Sequence, residues 1–203
     1  MRRLAVTLAI GLLSLAHQAQ ATPITYTDTV TGTGALGALP FTNALVTISL
    51  TGDTSTVFGD PVPRDFGSAT VNVFGVGTAT FTDPLMWAID NQANQLAGIA
   101  DVTAGLFLLG TRNGAFALYD LRSFIGPISG AVVFNPGALF PTTLGNFALN
   151  VVAGNTSTFA AVPAVTAAVP EPASVILVGT GLLGILRSRV RRRRRRKLSA
   201  FLN

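Results

Sequence analysis

Side chains able to do covalent or acid–base chemistry are few in this chain of 203 residues. It has no cysteine, a single histidine at His17 and a single lysine at Lys197. Both lie near the ends, so residues 22–169 hold no thiol, imidazole or amine. Nucleophilic triads, Cys-His pairs and His-ligated zinc all lack their material there. Disulfides are excluded too, which leaves stability to the core. What remains is carboxylate: Asp28, Asp53, Asp60, Asp65, Asp83, Asp90, Asp101 and Asp120, with no glutamate before Glu171.

Carboxylates can hold a hard cation, hydrolyse a glycosidic bond, or sit solvated in turns. Asp53, Asp60 and Asp65 share a stretch with Gly52, Gly59, Pro61 and Pro63 and are weak calcium candidates. Their spacing departs from the alternating Asp-x-Asp-x-Asp loop that calcium favours, so solvated turn aspartates are the preferred reading. Glycosidic hydrolysis needs two carboxyl groups facing each other, about 5–10 Å apart. Asp83, Asp90, Asp101 and Asp120 form the pool, and no motif picks a pair from it. Trp87, Tyr26 and Tyr119 could stack on sugar rings in a lectin-like site, although aromatic residues in a β-sandwich are more often core. Trp87 is expected to be buried at a strand start. Asn155-Thr156-Ser157 has the form of a glycosylation sequon and is read as a turn. The body is therefore expected to be non-enzymatic, with no catalytic residue, metal or cofactor. A carbohydrate-binding module is the alternative, and a carbohydrate-active hydrolase a more distant one.

Charge is segregated along the chain. Of the 14 basic residues, Arg2 and Arg3 lie at the start and nine lie after position 186. Only Arg64, Arg112 and Arg122 lie between, against the eight aspartates, so the middle carries 3 − 8 = −5. The overall net charge of +5 thus describes the tail rather than the body.

Both ends read as addresses. Arg2 and Arg3 precede an apolar run from Leu4 to Ala16, and His17-Gln18-Ala19-Gln20-Ala21 follows. Small residues at Ala19 and Ala21 fit the shallow pockets of signal peptidase. Residues 1–21 are predicted to be a secretory signal peptide cut after Ala21. At the other end Val169-Pro170-Glu171-Pro172-Ala173 is followed by apolar residues containing Gly179, Gly181 and Gly184. The two prolines hold the chain extended just outside that run. Residues 173–186 would make about 21 Å of helix, a marginal span for a hydrocarbon core of about 30 Å. Arg187, Arg189, Arg191, Arg192, Arg193, Arg194, Arg195, Arg196 and Lys197 close the pattern. Such a block stays cytoplasmic and leaves the body outside. Its long side chains can snorkel to ease the short span. A nucleic-acid patch is the competing reading of any arginine run. It loses here, because the run follows an apolar segment on a chain that begins with an export signal.

These C-terminal residues, Val169 to about Lys197, closely resemble the PEP-CTERM sorting domain of Gram-negative bacteria. The Val-Pro-Glu-Pro-Ala motif, the glycine-rich apolar run and the arginine cluster are all present, in order and contiguous. The resemblance covers about one-seventh of the chain. It implies recognition by an exosortase, a multi-pass membrane enzyme, and processing near Pro170-Glu171-Pro172 that transfers or releases the body at the cell surface. It also implies an association with exopolysaccharide and biofilm, and so an extracellular polysaccharide as a partner. The chain departs from the family in continuing past the cluster with Leu198-Ser199-Ala200-Phe201-Leu202-Asn203. Phe124 to Gly130 and Pro141-Thr142-Thr143 look like parts of other PEP-CTERM proteins, and no activity goes with that likeness.

The body must position whatever the aspartates and aromatics do. Residues 22–169 hold 17 glycines and 9 prolines amid Thr, Val, Ala and Phe, a composition that disfavours helices and suits pleated strands. Alternation at Ala44–Leu50, Ala69–Phe74 and Gly77–Thr82 predicts half-buried antiparallel strands. Later strands are expected at Ala131–Phe134, Phe147–Val152 and Thr158–Val162. Asn113-Gly114 predicts a hairpin between Leu106–Leu109 and Ala115–Tyr119. Some nine or ten short strands point to an all-β, jelly-roll-like antiparallel β-sandwich. The expected organisation is signal peptide 1–21, β-sandwich body 22–162, linker with the Pro-Glu-Pro motif 163–172, transmembrane helix 173–186 and Arg-rich cytoplasmic tail 187–203. Before processing this would be a single-pass membrane protein, exported through the inner membrane.

Overall fold

A computed structural model describes residues 22–83 and 86–164. The signal peptide, the Pro-Glu-Pro segment, the apolar run 173–186 and the arginine tail lie outside the described residues. The compact unit that contains the described residues ends at Ala164.

The body is all-β and antiparallel. Its twelve strands are β1 (Pro23–Leu36), β2 (Leu39–Asp53), β3 (Arg64–Phe66), β4 (Ser68–Val73), β5 (Gly77–Thr80), β6 (Met86–Asn91), β7 (Leu96–Asp101), β8 (Leu106–Arg112), β9 (Ile125–Val133), β10 (Phe140–Thr142), β11 (Gly145–Val152) and β12 (Thr156–Pro163). They hydrogen-bond in the order β3-β6-β7-β8-β9-β12-β1-β2-β4-β5, and β11 joins β1 to β10. The path folds over on itself, so that β6 and β7 pack across β2 and β1 in a sandwich-like arrangement around one core.

β1 lies at the middle of this path, and its sequence explains why. Thr25, Thr27, Thr29, Thr31 and Thr33 occupy one face, while Ile24, Tyr26, Asp28, Val30, Gly32, Gly34 and Leu36 are buried on the other. This period-2 pattern with β-branched residues on the open face is what a strand requires. One edge of β1 pairs along its length with β2. The other pairs with β12 over Ile24–Thr29 and with β11 over Gly32–Leu36. The register slips at Thr33/Gly34, where a Cβ on Gly34 would lie 2.0 Å from the Ala148 carbonyl oxygen. Only glycine admits this approach of β11.

Two aromatic clusters fill the core. Phe159 lies edge-on to Phe116 with ring centres 5.6 Å apart and packs on Tyr26 and Tyr119. Phe147 packs on Phe41 and Phe81.

Several elements differ from the sequence expectation. β1 and β2 run 14 and 15 residues, longer than the short strands expected, and no strand is expected at β1 or β7, while β6 begins at Met86, beside the strand start expected at Trp87. Asn113-Gly114 does not turn a hairpin. Asn113 is extended at φ −156°, and its side chain caps a single 3₁₀ turn at Gly114–Phe116 by accepting from the Ala115 N–H. Burial of Phe116 and Tyr119, three residues apart, favours this turn over a strand. β8 pairs with β7 and β9 instead.

Phe159 is fully buried, so Phe159→Ala should lower stability by about 3–5 kcal/mol through lost contacts and a cavity. Leu118 is 90% exposed, and Leu118→Ala should change stability by no more than about 0.5 kcal/mol. Urea unfolding of both variants checks the contrast.

Candidate functional site

The aspartates fall into three environments. Asp65 points inward from β3 and is fully buried. Its Oδ2 accepts from the Tyr26 hydroxyl at 2.9 Å and the Asp53 N–H at 3.0 Å, and its Oδ1 from the Thr56 hydroxyl at 2.7 Å. Gly52 makes room for this carboxylate, since a Cβ there would lie 2.1 Å from Oδ2. The Tyr26 hydroxyl is also 2.7 Å from the Leu121 carbonyl oxygen, and its single proton serves one acceptor at a time. Burial and the Asp65 charge hold the Tyr26 phenol well above its ordinary range. Leu121, at φ +62°, lies in the left-handed region that strains a non-glycine residue. Arg122 steadies the same turn by donating to the Val57 carbonyl at 2.7 Å.

Asp28 is buried on β1 beside a chain of hydroxyls. Its Oδ1 is 3.1 Å from Thr111 Oγ1, which is 2.7 Å from Ser157 Oγ, and Ser157 donates to the Gly110 carbonyl at 3.0 Å. The Thr111 hydroxyl donates to Asp28 Oδ1, while Asp28 Oδ2 is buried with no hydrogen-bond partner among the described residues. Burial raises the Asp28 carboxyl, against the lowering effects of the hydrogen bonds from Thr111 and the Thr29 backbone.

Asp90 points inward from β6, and neither of its buried carboxylate oxygens has a hydrogen-bond partner among the described residues. Burial, and secondarily the charge of Asp120, push it up to about 7. Burial and the charges of Asp120 and Asp90 raise the Tyr119 phenol as well.

The outer face of β3, β6, β7 and β8 carries a different arrangement. Phe66, Trp87, Ala100 and Phe107 are successive register partners across the four strands and share that face. Arg64, Ile89, Gly98 and Gly110 form the next row. Ala100 thus lies between Trp87 and Phe107 in a trough of about 400 Å³, which Arg64, Ile89 and the turn residues Val102 and Gly105 also line. Gly98 is required in the neighbouring row, because a Cβ there would sit 2.5 Å from the Gly110 Cα. A bulge at Ile99/Ala100 shifts the β7–β8 register, so that Phe107 faces Ala100 while Leu108 and Leu109 are both buried. The Arg64 guanidinium lies 5.3 Å from the Trp87 ring centre, and Phe58 meets the ring edge-on at 5.6 Å. Arg64 makes no ion pair among the described residues. Asp101 lines the trough and accepts from the Ala104 N–H at 3.0 Å.

The residues singled out in the sequence therefore separate. Tyr26 and Tyr119 are core, which removes them as sugar-stacking surfaces. Trp87 is half-buried rather than buried. Asp53 and Asp65 meet through the Asp53 N–H rather than as paired carboxylates, and Asp60 is exposed. Among the described residues, no three of His, Cys, Asp and Glu gather as a metal site. Of the glycosidase pool, Asp101 alone lines the trough. Asp83 binds the Thr103 hydroxyl, Asp90 is buried, and Asp120 accepts from the Arg122 N–H. Asn155 sits in a turn at φ +51°. Arg64, Ala100 and Phe107 escaped the sequence reading, because only the strand register brings them to Trp87.

Beyond the described residues, the chain carries a recognisable address. Residues 168–196 match the family model of the PEP-CTERM protein-sorting motif. The chain thus carries a PEP-CTERM sorting motif, which implies export and sorting to the cell surface by an exosortase. No curated protein matches the chain, and no solved structure matches it.

Two stability predictions follow from the buried groups. The folded-state carboxyls of Asp28 and Asp90 are raised above the unfolded value of about 3.9, so their contribution is complete below that pH. It is lost as pH rises, through about 7 for Asp90. The urea midpoint should fall between pH 4 and pH 8, and Asp90→Asn should flatten that decline. Tyr26→Phe leaves the buried Leu121 carbonyl without its donor and should lower stability by about 1–2 kcal/mol, measured by urea unfolding at pH 7.

Proposed function

We propose that this is a non-enzymatic cell-surface or extracellular-matrix protein whose β body is displayed outside the cell and associates with exopolysaccharide in a biofilm. The observation that carries the reading is the contiguous motif at residues 168–196. In this reading signal peptidase removes residues 1–21. Residues 173–186 then hold the chain in the membrane as a single-pass protein, with the arginine block on the cytoplasmic side. Exosortase acts near Pro170-Glu171-Pro172 and passes on a jelly-roll-like β-sandwich body.

A second reading, a lectin-like carbohydrate-binding module on the same export route, is favoured by the trough beside Trp87. Hydrolysis is less well supported, since Asp101 is the one aspartate lining the trough and is itself buried, where glycosidic cleavage uses two carboxyl groups. The buried Asp28, Asp65 and Asp90 are withdrawn from any substrate.

Intact mass of the protein from the cell surface and the medium, with a C-terminal peptide map, tests the sorting. The expected product lacks residues 1–21 and everything beyond the Pro170-Glu171-Pro172 region. A tail intact through Asn203 in a strain with a working exosortase overturns the reading.

A further inference from the structure

We propose that the trough on the outer face of β3, β6, β7 and β8 is a glycan-binding site, with a neutral pyranose ring of a polysaccharide packed beside Trp87 and Phe107. The inference deepens the polysaccharide association proposed above and rests on it.

Four features of the trough match the chemistry of a sugar chain. The first is its shape. Ala100 keeps the floor low between Trp87 and Phe107, so an extended chain can lie between two aromatic banks. The second is apolar surface, because one face of a pyranose presents C–H groups that pack on an aromatic ring. The third is polarity. Arg64 brings a fork of donors with no ion pair among the described residues. Such donors suit sugar hydroxyls, whose oxygens accept. A body of net charge −5 favours a neutral sugar over a uronate. The fourth is continuation along the sheet. Phe58 and Phe66 are 43% and 49% exposed, stand 6.2 Å apart and extend the aromatic surface away from Trp87. Exposed aromatics clustered in this way mark an interaction surface. A concave, mostly apolar site with a few convergent polar groups is the usual form of a ligand site.

Trp87 is the single tryptophan of the chain, so intrinsic fluorescence reads this trough directly. The full-length protein is titrated with cellohexaose, xylohexaose, mannohexaose and hexamannuronate. The expected result is a saturable change in tryptophan emission with at least one neutral hexasaccharide. Arg64→Ala and Phe107→Ala keep the tryptophan and should each weaken binding roughly tenfold or more. Both should still unfold cooperatively in urea, and Leu118→Ala should bind normally. The proposal is overturned by no saturable change with any of the four sugars, by a response to hexamannuronate alone, or by undiminished binding in both trough variants. Failure here leaves the mass experiment untouched, so the loss of the glycan site and the loss of the sorting reading are told apart.

Discussion

The fold depends on one strand that carries polar groups inward. β1 is paired along both edges, so its buried face looks into the middle of the sandwich. Tyr26 and Asp28 stand there among Ile24, Val30 and Leu36. A buried polar group without a partner is costly, so these two dictate what must surround them. Tyr26 requires acceptors, and Asp65 from β3 and the Leu121 carbonyl meet it. Asp28 requires a hydroxyl, and Thr111 from β8, backed by Ser157 from β12, supplies it. The two networks tie the two layers of the sandwich together with directional bonds, where apolar packing alone would leave their relative placement looser.

The same alternation that turns Asp65 and Asp90 inward turns Arg64, Phe66, Trp87 and Ile89 outward. The core and the trough are therefore two faces of one set of strands. The β7–β8 bulge serves both at once. It admits Leu108 and Leu109 together to the core and leaves Phe107 outside as the far bank of the trough. The aromatic banks of the trough therefore stand on strands, while Val102 and Gly105 of the β7–β8 turn complete its lining.

Strands were legible in the sequence where the inward face was aliphatic. Val46, Ile48 and Leu50 on β2 and Val71 and Val73 on β4 alternate cleanly with polar residues and pair with each other as strands. β1 was not legible, although its threonines alternate without a break. Its inward face mixes Tyr26, Asp28, Gly32 and Gly34 with aliphatics, which erases the apolar half of the signal. β7 was hidden for the opposite reason, since both its faces are buried and no alternation survives. Asn113-Gly114 misled because a local turn preference was overridden by the burial of Phe116, a tertiary term larger than any turn propensity.

The sequence by itself determined the all-β class, the absence of thiol and imidazole chemistry from the body, and the sorting motif. Composition and contiguous linear motifs carry these, and none needs a distant partner. Only the tertiary structure decided which aspartates are buried, that Tyr26 and Tyr119 belong to the core, and that Arg64, Trp87, Ala100 and Phe107 lie side by side. Those outcomes depend on strand register. Each strand carries one of these residues, and a slip of a single position turns its side chain to the opposite face.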